Sequence, residues 1–125
     1  MVAVLRGAKP GPTVALRAEL DALPYTEETD VPVKSTVRAK SPSGETVGVM
    51  HACDHDADMA MLLGFASVFM QMRDQLPGTI VFIFQPGEEG PLPGEQDGAA
   101  LVIARSFGKR RSYSRRSPSS ITVIT

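Results

Sequence analysis

Between Asp56 and Phe84 the apolar period of the sequence switches once, from helical to unbroken, and that switch restricts the chain to folds that lay a helix against a covered strand. Met59, Leu62, Leu63, Ala66, Phe69 and Met70 recur at helical intervals, one apolar stripe of an amphipathic helix expected from Asp56 to about Gln75. Asp56 and Asp58 stand at its start, where carboxylates favour the positive end of the helix dipole. "LPG" then ends the helix. "TIVFIF", residues 79–84, is a continuous apolar run of strand length, the pattern of a strand buried on both faces.

The flanking segments fit the same architecture. "VAVL" and "TVALRA" are β-rich runs separated by "RGAKPGP", whose Gly and Pro stop any helix, so an N-terminal hairpin is expected. "DALPYTEETDVP" reads as loop. "VPVKSTVRA" and "TVGVMH" flank the turn-rich "KSPSGE" and predict a second extended pair, delivering His51 and Cys53 at its end. "GAALVIARSF" has the composition of a short second helix. Strands and helices in this order predict an α/β layered domain with a largely buried sheet. "GAKPGP" precedes no helix and lacks the Gly-Lys-Ser/Thr ending of a phosphate loop.

A chain of 125 residues, 42% hydrophobic and with net charge -1, suits one globular domain with a modest core. The charge is unevenly spread: all fourteen acids lie in 1–97, whereas 98–125 holds six Lys and Arg and no acid. "RSFGKRRSYSRRSPSS" reads as a solvated basic tail that shows no strand or helix period before a short "ITVIT". The longest charge-free apolar stretch, Met59 to Met72, is shorter than the ~20 residues a bilayer span needs, so no membrane partner is expected. The N-terminus lacks the order of regions of a secretory signal, which makes a cytoplasmic location the expectation. A single cysteine excludes an internal disulfide and leaves Cys53 as a packed hydrophobe, a reactive thiol or a metal ligand.

Two short stretches carry the chemistry. "HACDHD", 51–56, holds both histidines and the only cysteine; "FQPGEEG", 84–90, puts two glutamates just beyond the apolar strand. In an extended segment residues two apart share a side, so Cys53 and His55 can face one point while Asp54 faces away. Thiolate and imidazole suit Zn and other late first-row metals, and carboxylates extend the choice toward Mn. Ligand crevices in open α/β sheets form beyond the carboxyl ends of strands, where Glu88 and Glu89 fall. Such a pair can divide labour, one carboxylate binding metal and the other taking a proton from water. Taken singly, a cysteine is most often packing and a His or Glu pair most often surface, but the two stretches flank one helix and one strand and strengthen each other.

These residues resemble the metal-dependent amidohydrolases that include hippurate hydrolase, N-acyl-amino-acid amidohydrolases and the plant hydrolases of indoleacetyl-amino-acid conjugates. Three ordered blocks carry the likeness: "ALRAELDALPYTEE" (15–28), "GVMHACDHDADMAMLLG" (48–64) and "GTIVFIFQPGEEG" with "GAALVI" (78–103). The resemblance implies that Cys53 and His55 ligate one metal of a pair of divalent ions (Mn, Zn or similar), with Cys53 as a candidate bridge. It implies that Glu89 ligates the second, that Glu88 is the general base, and that Asp21 orients a ligand. Two metals about 3.5–4 Å apart would acidify water and stabilise the tetrahedral oxyanion, giving hydrolysis of a small-molecule amide without a protein nucleophile.

Two positions depart from the family pattern: Asp54 stands where the family has Gly, and Asp58 where it has a further His. The family also draws histidines from far downstream and carries a lid or dimerisation domain, whereas this sequence has no histidine after His55. The expectation is therefore a partial catalytic domain over 1–104, joined to a basic tail at 105–125 expected to be disordered, in the manner of a frameshifted product, with little turnover of its own. Two other readings stand beside it. One is an inactive metal-binding remnant; the other is nucleic-acid binding through "KRRSYSRRS", which lacks a structured reading surface. Association into a homo-oligomer through an exposed sheet edge is a further expectation.

Overall fold

The run Thr79–Phe84 is β-branched and aromatic throughout, and such residues gain most where both faces of a strand are covered. In the computed structural model, which describes residues 1–41, 43–90 and the backbone of 122–124, this run lies inside the sheet. The elements are β1 (Val2–Arg6), β2 (Lys9–Glu19), β3 (Arg38–Lys40), β4 (Thr46–Gly48), α1 (His55–Gln71), β5 (Pro77–Gln85) and β6 (Thr122–Ile124). The main sheet has the order β2-β5-β1-β6, with β2 parallel to β5 and the other pairings antiparallel, so the fold is mixed α/β.

The expected N-terminal hairpin does not form. β1 and β2 lie on opposite sides of β5, in registers Val4↔Val81 and Ala15↔Val81. The Gly and Pro residues between them serve a different purpose: they take the chain across the foot of β5. Gly7 N–H donates to the Gly78 carbonyl at 2.8 Å and Lys9 N–H to that of Leu76 at 3.2 Å. A Cβ on Gly7 would overlap the Leu76 carbonyl oxygen, and one on Gly78, whose φ is +78°, would overlap that of Pro12. Burial explains the preference, since β5 flanked on both sides covers more apolar surface than β5 at an edge. Tertiary gain has overridden a local turn signal.

β3 and β4 form the second extended pair as expected, with Gly44 at φ +88° in the turn. An isolated bridge between Leu23 and Met50 ties the preceding loop to the strand that leads into "HACDHD". The core comprises Leu5, Ala18, Leu62, Ile80, Phe82 and Phe84, with Met59, Ala66, Phe69 and Met70 of α1 packed against it. Leu63 departs from the expected stripe: at the stripe's margin it lies beyond the sheet's reach and is 56% exposed. α1 also stops at Gln71 rather than Gln75, because Gln75 N–H and Leu76 N–H turn back to the Met72 carbonyl at 2.9 and 3.1 Å, tightening the chain toward β5.

"ITVIT" supplies β6, which pairs with β1 from Val2↔Ile124 to Val4↔Thr122. The rest of the basic tail and the helix expected in "GAALVIARSF" lie outside the described residues. No helix among the described residues is long and apolar enough to cross a membrane.

Candidate metal centre

The two chemistry-bearing stretches meet because β2 and β5 run parallel, which brings their carboxyl ends to the same edge of the sheet. Beyond β2 the chain continues through Leu20, whose N–H donates to the Gln85 carbonyl at 2.8 Å, to Asp21. Beyond β5, Pro86 and Gly87 turn the chain; Gly87 adopts φ +70°, a backbone angle that glycine takes without steric penalty. Glu88 and Glu89 follow, and the Glu89 N–H donates to Asp21 Oδ2 at 2.9 Å.

"HACDHD" reaches the same place from the start of α1. Asp54 is the N-cap residue at φ 61°, ψ 9°, in the left-handed region, and its side chain makes no capping bond. His55 is the first helical residue. Cys53 and His55 therefore converge through a left-handed turn, not through the side-alternation of an extended segment. Asp is among the few non-glycine residues that tolerate this conformation, which accounts for its use where the resembled family has glycine.

Asp21 holds both halves. Its main-chain carbonyl lies 2.9 Å from His55 Nδ1, and a carbonyl only accepts, so the proton sits on Nδ1. Nε2 is left with its lone pair toward the open side, 3.9 Å from Glu88 Oε2. His55 is 6% exposed, whereas Cys53, Glu88 and Glu89 are open to solvent. One ligand atom each from Cys53, His55 and Glu89 all lie within 4.8 Å of one another, the single three-residue group of this kind among the described residues.

The charges around this group favour a cation. Burial works against ionising Asp21, but the N–H groups of Glu89, Glu88 and Asp21 itself, with His55, hold its carboxyl below the ordinary value of 3.8. Burial also opposes a charged His55, yet the Asp21 carbonyl and carboxylate, then Glu19 and Glu88, raise its pKa above the usual 6.5. The Cys53 thiol is pushed up by a hydrogen bond with Glu89 and then by the charge of Glu89. Without a cation, the negative groups outnumber the positive ones and hold protons on sulfur and imidazole.

All five residues singled out in the sequence, Asp21, Cys53, His55, Glu88 and Glu89, are neighbours at one edge of the sheet. His51 is not part of the ligand group. Glu19 was missed: its side chain, 14% exposed and paired to Arg17 at 2.6 Å, contributes to the charge felt by His55. Its signal was available, since it stands two residues before Asp21 at the end of an alternating strand.

The model of peptidase family M20/M25/M40 matches residues 15–119. The chain is similar to thermostable carboxypeptidase 1 of Saccharolobus solfataricus, 51% identical over 95 residues, covering 75% of this chain and 22% of that protein. It is similar to an N-acyl-L-amino acid amidohydrolase of Geobacillus stearothermophilus, 48% identical over 82% of this chain and 28% of that protein. Among solved structures it resembles the YXEP protein of Bacillus subtilis, described as a dinuclear metal binding peptidase of the M20 family, with TM-score 0.60 and 43% identity over 70% of this chain and 22% of that one. The chain thus spans about a quarter of the length of these relatives.

Proposed function

The chain belongs to peptidase family M20/M25/M40, and on that premise we propose that its Cys53, His55, Glu88 and Glu89 serve metal-dependent hydrolysis of the amide bond in N-acyl amino acids or related small conjugates. The observation that supports this most is the pinned imidazole: with Nδ1 bonded to the Asp21 carbonyl, Nε2 of His55 is presented together with the Cys53 sulfur and a Glu89 carboxylate oxygen. Ligand bonds of about 2.0–2.3 Å span up to ~4.6 Å across one ion, close to the spacing here, so the donor set fits a late first-row divalent cation such as Zn or Mn. The likeness to a dinuclear metal binding peptidase supports a pair of such ions, which Cys53, His55 and Glu89 would hold.

When bound, the metal pair would supply positive charge that acidifies water and stabilises the developing oxyanion. The protein's own part follows from its geometry. Glu88, exposed and 3.9 Å from His55, takes the proton of the attacking water and returns it to the leaving amide nitrogen. Asp21 fixes the His55 tautomer through its carbonyl and the Glu89 backbone through its carboxylate. The substrate is a small amide, and a cytoplasmic setting belongs to the same reading.

A second reading, metal uptake with little turnover by these 125 residues, is favoured by the finding of a single three-donor group among the described residues. One experiment separates them: titrate the chain with Zn or Mn, then assay cleavage of an N-benzoyl amino acid. Hydrolysis lost in Glu88→Gln while metal uptake persists supports the first; uptake without hydrolysis supports the second. Uptake unchanged in both Cys53→Ser and His55→Ala would sink both.

A further inference from the structure

β2 and β5 stay in register to their carboxyl ends, with Arg17 opposite Ile83 and Glu19 opposite Gln85. Side chains alternate along a strand, so Arg17, Glu19 and Gln85 share one face of the sheet, turned from the core residues Ala18, Phe82 and Phe84. Arg17 joins the other two. Its Nε donates to Gln85 Oε1 at 2.6 Å and its Nη1 pairs with Glu19 Oε1 at 2.6 Å, so both arms of one planar guanidinium are engaged.

Gln85 is 1% exposed, and its Nε2 has no partner among the described residues. Burying an unpaired donor costs stability, and a leucine would fill the same place without that cost. The side-chain carbonyl is the part of this amide in use, and Arg17 is what it holds. Glu19 stands two residues before Asp21, whose main-chain carbonyl lies 2.9 Å from His55 Nδ1. The charge of Glu19 acts on His55 ahead of that of Glu88, whose Oε2 is 3.9 Å from Nε2. A carboxylate this near a cation site is drawn toward the cation, and the two engaged guanidinium arms oppose that movement.

Resting on the metal reading above, we infer that Arg17, anchored by Gln85, is a positioning residue that keeps Glu19 beside the cation site as a charge and out of it as a ligand. The distinction bears on chemistry. A structural metal site closes its coordination with protein groups, whereas a hydrolytic one keeps a position open for water or substrate. The candidate ligand group contains Cys53, His55 and Glu89 and not Glu19, as the restraint requires. From its outer place Glu19 still favours a cation: a unit charge ~6 Å from a divalent ion in a water-like dielectric changes affinity about tenfold.

Titration of the full 125-residue chain with Mn tests this, reading affinity together with solvent-proton relaxation per bound ion, which reports the water that reaches the metal. Arg17→Met should bind Mn about tenfold tighter or more, with lower relaxation per ion, because Glu19 then enters the coordination and displaces water. Arg17→Lys should move both readouts the same way at unchanged net charge, since lysine has no planar fork to hold two partners. Gln85→Leu should do likewise, with an unfolding midpoint for the metal-free chain no lower than before. Glu19→Gln should weaken binding about tenfold and, combined with Arg17→Met, should abolish the fall in relaxation. Relaxation unchanged in Arg17→Met, Arg17→Lys and Gln85→Leu, or a fall that persists once Glu19 is replaced, would overturn the inference. Uptake that depends on Cys53 and His55 but is indifferent to Arg17, Glu19 and Gln85 would overturn it alone. Uptake indifferent to Cys53→Ser and His55→Ala would remove the metal reading and this inference with it.

Discussion

At residue 54 a single backbone angle links the helix start to the ligand set. Asp54 at φ 61° brings Cys53 round to His55, and a side chain with a Cβ carries a penalty there that glycine escapes. Asp54→Gly should therefore raise stability by roughly 0.5–1 kcal/mol, read from the urea midpoint at constant slope, and Asp54→Val should lower it by a similar amount. Protonation acts at the same scale. Asp21, held below 3.8, contributes stability that is present above that value and lost as pH falls through its folded pKa. His55, held above 6.5, contributes stability that is present below 6.5 and lost as pH rises through its folded pKa. The metal-free chain should accordingly be most stable between these limits, with urea midpoints that fall on both sides. Metal uptake should run the other way on the alkaline side, strengthening as pH rises, since the ligands must shed the protons that Asp21, Glu88 and Glu89 help to retain. The ligand types and their neighbours could be read from "HACDHD" and "QPGEEG", because donor chemistry is written in the side chains. The pinning of Nδ1 by a main-chain carbonyl could not, since any residue carries that group.

Among the elements, α1 and β5 were legible because each buries enough apolar surface for its period to show. Leu62, 4% exposed, sits where the stripe meets the sheet, and Leu62→Ala should cost about 2–4 kcal/mol by thermal or urea unfolding. The relation of β1 to β2 was not legible. Their separator contains Gly and Pro, which signal a turn equally well whether the strands pair with each other or straddle a third. Gly7 distinguishes the two arrangements experimentally. In a hairpin, alanine at this position would be a minor change; against the Leu76 carbonyl it forces the crossing apart, and Gly7→Ala should destabilise the chain by about 2 kcal/mol or more. A loss below ~0.5 kcal/mol would contradict the close crossing. Met61, Phe65, Val68 and Met72, each about half exposed, blur the single stripe that a helix resting on one sheet displays.

For the molecule as a whole, the parallel pairing of β2 with β5 makes a site of residues distant in sequence: it puts Asp21 beside Glu88 and Glu89, and α1 then presents Cys53 and His55 to the same edge. The α/β class followed from the order of periods along the chain, whereas the strand order depended on burial that no local window contains. The account rests on Cys53 and His55 ligating a bound cation beside Glu89, and X-ray absorption at the zinc edge tests that most directly. With one equivalent of Zn, the spectrum should show one sulfur at about 2.3 Å and nitrogen or oxygen neighbours at about 2.0–2.2 Å, and Cys53→Ser should lose the sulfur shell. A first shell of nitrogen and oxygen only, identical in the wild-type chain and in Cys53→Ser, would contradict it.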